Sequence, residues 1–275
     1  VRLEADLRAF SPNGDGVKDT LTLLSTVQAQ ERVKQYQVQI LALEGANAMR
    51  PVRTWQGAGA VPAKFVWGGE TDAGVQAPDG RYAASMAVDY LNGDHEESQT
   101  SSILLDRKFP KIEVSADTTI ISPNGDGRSD TVTIHQSSEP GDDWTGTIAG
   151  PDGKKVRIFN WKGTAKDFVW DGKDENGVIV KDGNYSYTVE STDSAGNSTK
   201  SSPLIVAVET EKKAVRFDAD QLAFSPNGDG NRDQLKFGVT AQYPERIKHF
   251  ELNIYAAEAG SFALPVRSWK GSSDI

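Results

Sequence analysis

The sequence has no cysteine. Disulfides, thiolate catalysis and cysteine-bound zinc are excluded together, and the compartment stays open, because cysteine-free chains suit the bacterial envelope and the cytosol alike. Histidine is scarce, with only His95, His135 and His249. No His-Glu-x-x-His, Gly-x-Ser-x-Gly or phosphate-loop pattern occurs, so the chain is expected not to be an enzyme. No apolar run approaches the roughly 18 residues of a membrane helix, and mean hydropathy is −0.50; membrane insertion is not expected. Positive charge is in deficit. Lys and Arg number 30 against 39 Asp and Glu, for a net charge of −9. That balance disfavours nucleic acid, which selects basic surfaces, and suits cation binding. The chain opens on Val1 with neither an initiating Met nor a signal-peptide pattern, which reads as an internal segment of a longer protein.

What is there is repetition. Ser11-Pro12-Asn13-Gly14-Asp15-Gly16 returns as Ser122-Pro123-Asn124-Gly125-Asp126-Gly127 and as Ser225-Pro226-Asn227-Gly228-Asp229-Gly230. An apolar residue precedes each copy (Phe10, Ile121, Phe224) and an aspartate follows three residues after it (Asp19, Asp130, Asp233). Asp6, Asp117 and Asp220 each stand five residues before the serine. The serines are 111 and 103 residues apart. That is the length of a small domain rather than of a solenoid repeat of about 20–50 residues.

Two further blocks fix the units. Phe65-Val66-Trp67-Gly68-Gly69 through Gly80-Arg81-Tyr82 matches Phe168-Val169-Trp170-Asp171-Gly172 through Gly183-Asn184-Tyr185. Pro51-Val52-Arg53-Thr54-Trp55-Gln56-Gly57 matches Pro265-Val266-Arg267-Ser268-Trp269-Lys270-Gly271. The sequence therefore divides into units at 1–107, 108–210 and 211–275, the third incomplete. An incomplete sheet exposes strand edges, so self-association through the third unit is expected. Short linkers, 106–110 and 209–213, carry little Gly or Ser and should hold the units semi-rigidly.

The local patterns are those of strands. Thr131–Ile134, Tyr185–Val189 and Gln37–Leu41 alternate with period two, and Pro-Asp-Gly, Asn-Gly and Asp-Gly turns separate such runs. Short strands with these turns over about 100 residues describe an all-β sandwich. Residues 28–37 are the one helical candidate.

The recurring loop carries the one chemical signal. With Ser11 at position 1 of an EF-hand-like register, Asn13, Asp15, Gly16 and Asp19 fall at positions 3, 5, 6 and 9, which suits Ca²⁺. The same register gives Asn124, Asp126 and Asp130, and Asn227, Asp229 and Asp233. Position 12, a glutamate in EF-hands, is Thr22, Thr133 or Lys236; Asp6, Asp117 and Asp220 are the candidates to supply the missing charge. The other reading is an Asx-rich turn, in which these side chains bind backbone N–H groups and glycine fills positive-φ positions. Trp55, Trp67, Trp161, Trp170 and Trp269 recur at matched positions. Core packing is favoured for them over a sugar-binding platform, because large aromatics dominate small sandwich cores.

Trp170-Asp171-Gly172-Lys173-Asp174-Glu175-Asn176-Gly177, then Gly183-x-Tyr185, then Asp193-x-Ala195-Gly196-Asn197, resembles the Ig-like domain of bacterial flagellar hook-capping proteins and related surface proteins. The Ser-Pro-Asn-Gly-Asp-Gly-x-x-Asp block resembles the opening of gliding-motility-associated C-terminal modules. Together the two signatures cover both complete units and the start of the third. The resemblance implies tandem Ig-like β-sandwich domains that space, display or assemble parts of a larger extracytoplasmic protein. It implies other domains of the parent protein as partners. An adhesin or carbohydrate-binding module, with a protein or glycan ligand, and a self-associating hook-cap scaffold are the alternatives. The gliding-associated module usually occurs once, at a C-terminus; here it is tandem. The first unit has Gly68-Gly69 where the second has Asp171-Gly172, and Tyr90-Leu91-Asn92-Gly93-Asp94 in place of the Asp-x-Ala-Gly-Asn turn.

Overall fold

The structure, a computed structural model, describes residues 1–45, 48–139, 142–211, 214–241, 247–256 and 265–272. The chain divides into two units, Val1–Thr210 and Glu211–Ile275.

The first unit holds two β-sandwiches. In chain order the first is built from β1 (Arg2–Ala5), β2 (Ala9–Phe10), β3 (Leu21–Thr26), β4 (Val33–Ala42), β5 (Pro51–Ala58), β6 (Lys64–Trp67), β7 (Gly80–Tyr90), β8 (His95–Gln99) and β9 (Ile103–Leu105). One sheet runs β1-β3-β6 and the other β2-β9-β7-β4-β5, with β8 also on β7. The second sandwich comprises β10 (Ile112–Ala116), β11 (Ile120–Ile121), β12 (Val132–Ser138), β13 (Asp142–Ala149), β14 (Lys155–Gly163), β15 (Phe168–Trp170), β16 (Gly183–Thr192), β17 (Ser198–Lys200) and β18 (Leu204–Val208). Its sheets repeat the order, β10-β12-β15 and β11-β18-β16-β13-β14, with β17 on β16. In each sandwich the pairing is antiparallel except where the short strand before the repeated loop meets the last strand, β2 with β9 and β11 with β18.

Period-two alternation decides which residues enter the cores. Val38 and Ile40 of β4, Leu21 and Leu23 of β3, and Trp67 of β6 are fully buried in the first sandwich. Val132 and Ile134 of β12, Trp170 of β15, and Tyr185, Tyr187 and Val189 of β16 are buried in the second. Residues 28–37 are not helical. A single 3₁₀ turn at Gln30–Arg32 leads directly into β4. The helix-favouring glutamines and lysine there are overridden, because a strand from Val33 buries Val33, Val38 and Ile40 on one face.

The two recurring sequence blocks meet in space. Gly69 and Gly172 lie at positive φ, and a Cβ on either would stand 2.7 Å or 2.6 Å from Cγ of Pro12 or Pro123. Each loop proline thus rests on the glycine of its own Trp-x-Gly block, where a side chain has no room. The tryptophan beside that glycine turns inward and donates to a backbone carbonyl, Trp67 Nε1 to Glu70 O at 2.9 Å and Trp170 Nε1 to Lys173 O at 3.0 Å.

In the unit 211–275 the strands are β19 (Val215–Ala219), β20 (Phe237–Ala241), β21 (His249–Ile254) and β22 (Arg267–Ser272). They pair as β19–β20 and β21–β22, like β1–β3 and β4–β5. None of its described residues is buried.

Candidate functional site: a joint between two domains

The repeated loop is held by its own side chains. Asp19 accepts from the backbone N–H groups of Gly14 and Gly16, one on each oxygen, both at 2.7 Å. Asn13 Oδ1 accepts from Asp15 N at 2.9 Å, and Asp15 Oδ1 from Val17 N at 2.7 Å. The second loop repeats this with Asp130, Asn124 and Asp126, and the third with Asp233, Asn227 and Asp229. In the third loop these backbone donors hold the Asp229 and Asp233 carboxyls below the usual range. The loop closes through Ser11 N donating to Lys18 O at 2.9 Å, with Lys18 itself at φ 51°. Ser129 and Arg232 take the same left-handed conformation.

The preceding aspartate lies apart from this set. Asp6 Oδ1 accepts from Thr22 N at 2.9 Å, Asp117 Oδ1 from Thr133 N at 2.9 Å, and Asp220 Oδ1 from Lys236 N at 3.0 Å. The residue at position 12 of the EF-hand register therefore uses its backbone N–H to bind the aspartate. Asp6, Asp117 and Asp220 close strand pairs, while the loop carboxylates bind loop amides. Among the described residues no group of three or more His, Cys, Asp or Glu side chains is gathered to hold a metal ion. The loop's amide hydrogen bonds are those of an Asx-rich turn.

In the first sandwich the loop does something further. It docks on the Asp193–Asn197 turn of the second sandwich. Ser11 Oγ–H donates to Asn197 Oδ1 at 2.6 Å, and Asn13 Nδ2 donates to the same oxygen at 3.2 Å. Asn197 Nδ2 donates to the Asp106 carbonyl at 2.9 Å and to Asp193 Oδ2 at 2.7 Å. Lys18 Nζ reaches Ser194 O at 2.8 Å. Ser11 and Asn197 are both 0% exposed, so a buried Ser11–Asn197 bond, at the centre of a polar cluster, ties the start of domain one, its end at Asp106, and domain two. Gly196 makes the approach possible, because it lies at φ +101° and a Cβ there would stand 3.0 Å from Val17 Cγ1. Negative charge gathers beside the joint. Burial pushes the Asp142 carboxyl up, and the charges of Asp193 and Asp106 push it further.

Ser11, Asn197, Asp106 and Lys18 are each 91 or more residues from some partner in this cluster. The Asp-x-Ala-Gly-Asn turn is visible in the sequence as a motif, but nothing in the sequence pairs it with the loop.

The tryptophans divide. Trp67, Trp144 and Trp170 are buried. Trp55 and Trp161 are half-buried and pack on Phe65 and Phe168, with ring centroids 5.7 and 5.8 Å apart. In the unit 211–275 Trp269 is exposed.

Strand order, core and joint together define tandem Ig-like β-sandwich domains. A family model described as the FlgD Ig-like domain matches residues 120–195, within the second sandwich. No curated protein matches the chain. Among solved structures, the tetra-tandem repeat in the extending region of a large adhesion protein is 14% identical, with 87% of this chain and 56% of that one covered and a TM-score of 0.32. Fibronectin(III)-like modules of Clostridium thermocellum CbhA are 12% identical, covering 75% and 92%, with a TM-score of 0.37. Murine CEACAM1b is 8% identical, covering 76% and 99%, with a TM-score of 0.44. The chain spans 56% of the length of the adhesion-protein structure.

Proposed function

We propose that residues 1–210 are a spacer of two Ig-like domains in a larger bacterial extracytoplasmic protein, with a polar joint that restrains one domain against the next. The observation that carries this reading is the buried Ser11–Asn197 hydrogen bond. A flexible tether needs no fully buried polar contact across its domains, and burying polar groups costs free energy unless every one is paired. The role is mechanical rather than catalytic, and its natural partners are neighbouring domains of the same protein. The loop carboxylates shape the docking surface, and a cation there would have to displace the glycine amides from Asp19. The buried tryptophans favour the spacer over a sugar-binding platform.

The test is ¹⁵N relaxation on the whole chain. Domains one and two should tumble with one shared correlation time, and Asn197→Ala should give them two shorter ones. Independent tumbling in the unsubstituted chain would overturn the spacer reading.

A further inference from the structure

The second domain carries its own copy of the docking loop. From Ser122 to Asp130 it differs from the first at two positions only, with Arg128 for Val17 and Ser129 for Lys18. Its backbone amides bind Asp130, Asn124 and Asp126 as those of the first loop bind Asp19, Asn13 and Asp15. Its surroundings differ. Ser11 is buried and Asn13 half-buried, whereas Ser122 is half-buried and Asn124 exposed. The two groups whose counterparts hold Asn197 turn to each other instead, Asn124 Nδ2 donating to Ser122 Oγ at 3.2 Å.

We infer that the Ser122–Asp130 loop is a docking surface for an Asp-x-Ala-Gly-Asn turn carried by another Ig-like domain. The inference rests on the joint proposed above. The chemistry selects the occupant. An asparagine side chain offers one oxygen to the serine hydroxyl and the loop amide, and N–H donors to a backbone carbonyl and to its own turn. An ionised aspartate has no donor. The first domain's turn, with Asp94 in that place, is therefore the wrong occupant; its Asp94 carboxylate accepts from Asn92 Nδ2 at 2.6 Å. A second copy of this chain is also the wrong occupant, because its Asn197 is covered by its own Ser11. Glycine before the asparagine fits because Gly196 of the existing turn lies at φ +101°. Arg128 in place of Val17 adds a cation to the surface and favours a turn with a further carboxylate or carbonyl within its reach.

Val17→Arg with Lys18→Ser makes the first loop identical to the second within the chain as it exists. Relaxation should still report one correlation time for domains one and two in this variant. If Asn197→Ala fails to separate the domains, the joint itself is refuted. If Asn197→Ala separates them and the double substitution also does, the joint stands and this inference falls. A second arm repeats residues 108–210 directly after Thr210. All three domains should then share one correlation time, and Asn→Ala in the turn of the added copy should release that copy alone. An added copy that melts cooperatively yet tumbles independently overturns the inference.

Discussion

Ser11 and Ser122 open the same six-residue sequence and sit in loops whose backbone amides are bound in the same way, yet one is fully buried against Asn197 and the other is not. Phe10 and Phe224, which stand just before their loops, diverge in the same way. Phe10 is 0% exposed, 5.2 Å from the Trp67 ring, and Phe224 is 49% exposed. The loop's shape is local, written in Asn, Asp and Gly at fixed spacing. What the loop does depends on what the rest of the chain places beside it. Phe224 is exposed in a unit none of whose described residues is buried, so no closed core covers it there.

The contrast can be broken most forcefully at the two phenylalanines. Phe10→Ala should destabilise the first unit by about 3–5 kcal/mol, the usual cost of an emptied aromatic site. Phe224→Ala should change stability by about 0.5 kcal/mol or less, as exposed substitutions do. Chemical denaturation of both variants measures this, and equal losses would mean that Phe224 is also in a core.

The serines give the next effect. Ser11→Ala leaves an asparagine oxygen buried with one donor fewer and should cost about 1–2 kcal/mol. Ser122→Ala loses one partly exposed hydrogen bond and should cost about 0.5 kcal/mol or less. Thermal melts of the two variants compare them directly, and similar shifts would show that the joint adds nothing to Ser11.

A smaller effect follows pH. The Asp142 carboxyl is raised in the folded chain by burial and by Asp193 and Asp106. A raised acid binds its proton more tightly when folded, so its contribution is fully present below the unfolded value. It is lost as pH rises through the folded value. Asp142→Asn should therefore stabilise the protein at pH 7 and lose that advantage as the medium is acidified toward pH 4. Melting curves of both proteins between these limits check the sign, and an advantage that grows on acidification would contradict it.

The smallest expected effect is that of calcium. The carboxylates of all three loops are bonded to loop amides, so chelator and millimolar calcium should leave the melting temperature unchanged. A calcium-dependent rise in either loop of the first unit, traced with Asp15→Ala and Asp126→Ala, would show that a cation displaces those amides.

Much of the fold was legible in the sequence. Alternation at Gln37–Leu41 and Tyr185–Val189, and the Asn-Gly and Asp-Gly turns, point to β4, β16 and their hairpins, because side-chain direction in a strand repeats every two residues. Residues 28–37 were misleading because helix propensity is weak beside the burial of Val33, Val38 and Ile40 on one strand face. Asp6, Asp117 and Asp220 recur at a fixed distance from the loop, but distance along the chain did not reveal that they bind the backbone amides of Thr22, Thr133 and Lys236.

The sequence by itself determined the repeat, the sandwich class and the internal architecture of the loop, because each rests on contacts within a few residues or on a period of two. Only the tertiary structure decided that the first loop meets the Asp193–Asn197 turn. That contact joins residues 186 apart, and it depends on where two folded domains place their ends. Hydrogen bonding explains why Asn197 suits the joint, but only folding brings Ser11 to it.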